Sequence, residues 1–242
     1  WSLWEDEILT TLDAQRFPEF FPINPVSYIF VKLSMYLFGS DEWGVRFIPC
    51  LFGIITVPVI YFLVKTVYNA RVALLTALLT TLSPWHIFWS QNARSYIFTF
   101  LFASVSAFLF YLALEKDSIA LIFFSLLSTL ILIMSHLLSV MLVFAFTGYV
   151  IVLWLLPVKN PPGLRIRNIT VFFAPFILAS VLLLVPDFLN YLTSGWGHNV
   201  WSRSPVYVTF TLVYELTIPV AVLACVSALY SLTEMFKKTG KP

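Results

Sequence analysis

The sequence predicts an all-α protein, a polytopic integral membrane bundle of about seven transmembrane helices with juxtamembrane helices in the first outer loop. Three observations carry that expectation. Hydrophobic residues fill 60% of the 242 positions and charged residues only 11%, against about 25% in soluble domains. Apolar stretches of the ~20 residues needed to cross a bilayer recur along the chain. Lys and Arg collect in alternate loops, as they do on the cytoplasmic side of membrane proteins.

The chain opens WSLWEDEILTTLDAQRF. Glu5, Asp6 and Glu7 ahead of ILTTLDAQRF fit the first turn of an interfacial helix, where the helix dipole favours negative charge. The next stretch, PVSYIFVKLSMYLFG at 25–39, is short and interrupted by Lys32, with apolar residues at 26, 29, 30, 33, 36 and 37. That helical spacing reads as an amphipathic helix lying at the interface rather than as an eighth span. Spans are expected at 44–65, 70–90, 95–114, 118–135, 137–156, 169–189 and 206–234. The chain then divides into an outer loop carrying the acidic motif (1–43), a core transmembrane module (44–156) and further spans (157–242) with an outer loop at 190–205.

Charge placement sets the orientation. One set of alternate loops holds Lys65, Arg71, Lys116, Lys159, Arg165, Arg167, Lys237, Lys238 and Lys241 against Glu115, Asp117 and Glu234. Five basic residues and nine acids lie elsewhere. The positive-inside rule puts residues 1–43 outside, so the expected location is the plasma (inner) membrane with the functional face outward. An outside start without a signal peptide implies a further helix upstream. The net charge of +2 reflects loop anchoring and gives no reason to expect nucleic acid. Cys50 and Cys225 sit in apolar runs and read as packing residues, neither a disulfide framework nor a metal cluster.

The polar residues left on the outer side mix acids, Arg, His, Tyr and Trp at several span ends, the composition of a site at the membrane surface. The opening acids are either an ordinary helix turn or a carboxylate pair, Asp6 and Glu7, that takes a proton from an attacking hydroxyl or holds a divalent cation. In SPWHIFWSQNARSYIF, 83–98, Arg94 and Tyr96 suit headgroup anchoring. With Ser90 and Gln91 they also offer a fork of donors for a phosphate, which Arg binds in bidentate fashion. His136, in MSHLLS, is either a satisfied interface residue or a ligand. Glu215 lies well inside the last span, where an acid is functional or paired, and Arg46 is its partner or a headgroup contact. Metal and cofactor stay unassigned, with a divalent cation open.

Taken in order, SLWEDE, PINPVSYIFVKLSMYLFGSDEWGVRFIPCLFG, LLTTLSPWHIFWSQNARSY and MSHLL resemble the membrane module of GT-C glycosyltransferases, in the dolichyl-phosphate-mannose protein mannosyltransferase-like group. The stretch covers about residues 2–140. Its similar features are an aromatic-x-Asp-Glu in the first outer loop, a Pro-Pro-Leu-Tyr-type helix ending in Phe-Gly, an Arg opening the next span, and a Ser-x-x-Ala-Arg-x-Tyr segment. The resemblance implies a bundle of many transmembrane helices, a polyprenyl-phosphate-linked sugar donor, and a glycan, lipid or protein acceptor. It places the catalytic base on Asp6 with Glu7 beside it, and Arg46 and Arg94 near the lipid phosphate. Where many members have His or Glu before the Pro-Pro pair, this chain has Ile23, Asn24 and a single Pro25, so a metal or phosphate ligand implied there is either missing or replaced by Asn24.

The binding candidates are therefore Asn24, Arg46, Gln91, Arg94, Tyr96 and His136. The reaction expected is an inverting transfer, in which Asp6 deprotonates the acceptor hydroxyl as it attacks the anomeric carbon and the lipid phosphate leaves from the opposite face. Two other functions stay open. One is a transporter or flippase of a lipid-linked molecule coupled through Glu215, which needs broken helices near mid-membrane. The other is a non-catalytic membrane subunit of the same fold.

Overall fold

A computed structural model of the chain describes residues 3–19, 24–155 and 160–182, and the regular elements among them are helical. They are α1 (Glu5–Arg16), α2 (Pro25–Phe38), α3 (Glu42–Val67), α4 (Ala70–Leu82), α5 (Pro84–Ser90), α6 (Tyr96–Lys116), α7 (Ile119–Ser135), α8 (Met141–Leu155) and α9 (Ile166–Leu182). A 3-10 turn, Leu137–Val140, precedes α8. Trp1–Val152 and Pro161–Phe176 form one compact unit, while Leu153–Asn160 and Ile177–Pro242 belong to a second.

Among the described residues, three segments are long and apolar enough to cross a bilayer: Glu42–Val67, Tyr96–Lys116 and Leu137–Leu155. The span expected at 70–90 is broken instead, with α4 and α5 meeting at 61°. Pro84 lacks an N–H and keeps Ser83 extended, at ψ 120°, so the helix stops there. Ser83 Oγ then accepts from the His86 N–H and starts the next helix. Where a span was expected at 118–135, α7 has 17 residues, about 26 Å against a core of ~30 Å. The span expected at 169–189 lies partly outside the described residues, which α9 covers as far as Leu182. The described residues thus hold three helices long and apolar enough to cross, or four with the bent pair. The expected span at 206–234, with Glu215, lies outside them, as does the loop at 190–205. Residues 25–38 form a helix of 14 residues, about 21 Å long and too short to cross.

Polar side chains hold the apolar helices together. Ser125 Oγ donates to the Ser106 carbonyl at 3.0 Å, Ser128 Oγ to the Phe102 carbonyl at 3.1 Å, and the Ser106 and Thr129 hydroxyls bond each other. These bonds join α6 to α7, as small hydroxyl residues do in membrane helix pairs. Gly53 lets α3 meet α5 closely, since a Cβ there would lie 2.2 Å from Ser90 Oγ. At the far end of α6, Phe110 stacks on Phe146 with ring centroids 4.4 Å apart and meets Phe172 at 4.7 Å. Asp117, which ends α6 at φ 48°, pairs with Arg165 at 3.0 Å and accepts from Asn168 Nδ2 at 3.0 Å. The start of α9 is thereby tied to the α6–α7 turn.

Two contacts place the short helices at the other end. Lys32 Nζ donates to the Phe17 and Gln15 carbonyls, meeting acceptors left over at the C-terminus of α1. The lysine that interrupts the apolar run of α2 is thus a cap for its neighbour. Ser34 Oγ donates to the Gly44 carbonyl and accepts from the Ile48 N–H at 3.0 Å, which locks α2 against the start of α3.

Candidate active site

Glu7 organises the cluster. Its side chain is 0% exposed, and a buried carboxylate is costly unless paired and hydrogen-bonded. Arg46, at the start of α3, supplies both requirements by donating Nε to Oε1 at 2.9 Å and Nη2 to Oε2 at 2.5 Å. The Ala93 backbone N–H adds a third bond to Oε1 at 2.8 Å. One carboxylate therefore fastens α1, α3 and the turn 91–95 together. The described partner of Arg46 is Glu7, reached across 39 positions of sequence.

That fastening sets Arg94 against the next acid. Arg94 Nη1 donates to Thr10 Oγ1 at 2.9 Å and to the Asp6 carbonyl at 3.2 Å, and Nη2 lies 3.4 Å from Asp6 Oδ2. Asp6, Thr10 and Asp13, at spacings of four and three, lie on one face of α1. Asp6 remains 43% exposed where Glu7 is 0%, while Arg94 and Arg46 are alike at 26% and 21%, so the two pairs differ in the access of solvent to the acid. The Arg94 Nε–H has no acceptor among the described residues.

Aromatic rings border this pair. Tyr96 meets Trp89 at 4.0 Å and His136 at 5.6 Å, while Trp4 lies 6.4 Å from Trp89 and 6.0 Å from the Arg94 guanidinium. Burial holds the His136 imidazole below its ordinary pKa, and the positive charge of Arg94 lowers it further. Burial likewise raises the Tyr28 phenol, with the Asp13 carboxylate adding to that and Arg94 opposing it. Asn24 Oδ1 accepts from the Leu137 N–H at 3.1 Å, and Ser27 Oγ donates to the Ser135 carbonyl at 2.9 Å. Together they tie the start of α2 to both sides of His136.

Of the residues singled out from sequence, Asp6, Glu7, Arg46, Arg94, Tyr96 and His136 thus come together, with Asn24 joined through Leu137. Gln91 ends α5 in the same turn and is exposed. Sequence reasoning passed over Thr10, Tyr28, Trp89 and Asn92. Asn92 stands inside the quoted SQNARSY, and Thr10 is one helical turn past Asp6, so both carried a readable signal. Tyr28 and Trp89 carried none beyond hydropathy. Among the described residues, no three of His, Cys, Asp and Glu gather closely enough to hold a metal ion.

The helices and the cluster define a membrane protein that concentrates paired acids, arginines and aromatic rings at one end of its apolar helices. The dolichyl-phosphate-mannose-protein mannosyltransferase family model matches residues 22–179, about two thirds of the chain, and the protein belongs to that family. Membership makes it a membrane glycosyltransferase of the mannosyltransferase-like kind. The match includes Arg46, Arg94, Tyr96 and His136 and begins after α1, so Asp6 and Glu7 lie ahead of it. No curated protein and no solved structure matches the chain.

Proposed function

We propose that this protein transfers a sugar, of mannose type, from a polyprenyl-phosphate donor to an acceptor hydroxyl at the outer face of the plasma membrane, with inversion and with Asp6 as general base. The observation that carries the reading is the unequal engagement of the two acids. Glu7 has both oxygens bonded in a closed site. Asp6 has one loose contact at 3.4 Å and an exposed carboxylate, so it is the acid with an oxygen free to take a proton.

Roles follow from that division. Asp6 accepts the hydroxyl proton as the acceptor oxygen attacks the anomeric carbon, and the lipid phosphate departs from the opposite face. Arg94, partly exposed beside Asp6, meets the charge that gathers on the departing phosphate. Arg46 is spent on Glu7, so both act as positioning residues that set the 91–95 turn. His136 lies near enough to Arg94 to feel its charge, and Tyr96 packs against His136. The outward orientation rests on the distribution of Lys and Arg between loops, and the seven-span topology on the hydropathy of the whole chain.

A transporter reading calls for a pair of broken helices in corresponding halves. The described residues hold one break, Ser83–Pro84, and its helix start is capped by its own serine. The test of the transferase reading is turnover by the purified full-length protein of polyprenyl-phosphate sugars, with mannose first in the panel. Release of polyprenyl phosphate together with a new glycoside supports it. Donor moved across a vesicle bilayer without cleavage supports the transporter.

A further inference from the structure

Trp4 is held more tightly than an interfacial anchor requires. Its indole N–H donates to Asn92 Oδ1 at 2.9 Å, and the Asn92 amide is fixed in turn by its bond to the Phe88 carbonyl. The ring lies beside the Arg94 guanidinium at 6.0 Å, within cation–π range. The Trp4 carbonyl accepts the Glu7 and Ile8 N–H groups, so backbone and side chain are both pinned. Yet 38% of the residue stays exposed, two positions from Asp6. A tryptophan of an interfacial belt keeps its N–H for headgroups and water; here it is spent on a buried asparagine. What remains is a pinned, partly exposed tryptophan next to the charged pair.

We infer that Trp4 is the platform on which a pyranose ring stacks, so that its reacting carbon or hydroxyl is presented between Asp6 and Arg94. The inference rests on the transferase reading and adds the group that recognises the sugar. The chemistry is that of the sugar itself. A pyranose has an apolar C–H face that packs on an aromatic ring, and hydroxyl edges that need polar partners. A pinned ring loses no rotamer freedom on binding, unlike a mobile one. The ring on the platform belongs either to the donor or to a glycan acceptor, and both present the same face.

The test measures binding of polyprenyl-phosphate mannose and of sugar-free polyprenyl phosphate to the full-length protein, for wild type, Trp4→Leu and Trp4→Phe. Saturation by methyl α-mannoside as acceptor is measured alongside, and melting confirms that each variant is folded. Trp4→Leu is expected to weaken either the mannosyl lipid or the acceptor by roughly tenfold, the size expected for keeping about 60 Å² of apolar surface out of water. Sugar-free lipid binds unchanged, and Trp4→Phe, which keeps a ring, recovers most of the loss. A loss on the mannosyl lipid puts the donor sugar on the ring; a loss confined to acceptor KM puts the acceptor there. Equal weakening of both lipids assigns the ring to Arg94 and the phosphate and overturns the platform, as does Trp4→Leu behaving like wild type throughout. Wild type binding neither lipid overturns the transferase reading and the platform with it.

Discussion

Glu7 and Asp6 are neighbours in sequence with opposite surroundings, and their substitution separates the two roles. Removing one partner of a buried ion pair leaves the other charge stranded, at a cost of about 3 kcal/mol. Glu7→Ala and Arg46→Ala are each expected to lower stability by up to that order, and the melting temperature with it, while the pair Glu7→Leu/Arg46→Met recovers much of it. Thermal melting in detergent checks this, and additive losses would refute the pairing. His136 gives a pH signature. Its imidazole is held below its ordinary 6.5, first by burial and then by Arg94. The unfolded chain therefore takes up a proton that the folded one refuses as pH falls through 6.5. Stability present above that pH is lost below it, and His136→Gln makes the fall shallower. Arg94→Gln raises the His136 midpoint, which NMR titration reads. The sequence showed the site's composition, acids ahead of a helix and Arg and His at span ends. It did not show which acid would be buried, because that depends on Arg46 and the Ala93 amide arriving from 39 and 86 positions away.

Among the helices, hydropathy was a good guide to existence and a poor one to continuity. Apolar runs fixed α3, α6 and α8 to within a few residues. The break at Ser83 was carried by Ser-Pro in the quoted segment, but an apolar window averages across it. The length of α7 depends on where its caps fall, Ser118 at the start and His136 at the end, and window averages ignore caps. The helix expected at 25–39 is present as α2, 14 residues long, and the role of Lys32 as a cap for α1 needed the fold. The contact of α3 with α5 makes its own prediction. A methyl group on Gly53 meets Ser90 Oγ at 2.2 Å, so Gly53→Ala is expected to cost about 1–3 kcal/mol, with Ser90→Gly restoring most of it. Melting of the two single variants and the double variant decides the matter.

For the molecule as a whole, composition gave the membrane class and loop charge gave an orientation. Cysteines introduced at Ser40 and at Asn160, in a background with Cys50 and Cys225 replaced, are expected to react with an impermeant maleimide in intact cells at the first position only. The reverse pattern would turn the active face inward. The central claim is that an exposed Asp6, set beside Arg94 by the buried Glu7–Arg46 clasp, is the base of a sugar transfer from a lipid phosphate. Its most direct test is turnover of polyprenyl-phosphate mannose by wild type and Asp6→Asn, with melting to show that both are folded. The account predicts an unchanged melting temperature and a rate lower by about 10²- to 10⁴-fold. A folded Asp6→Asn that turns over like wild type would contradict it.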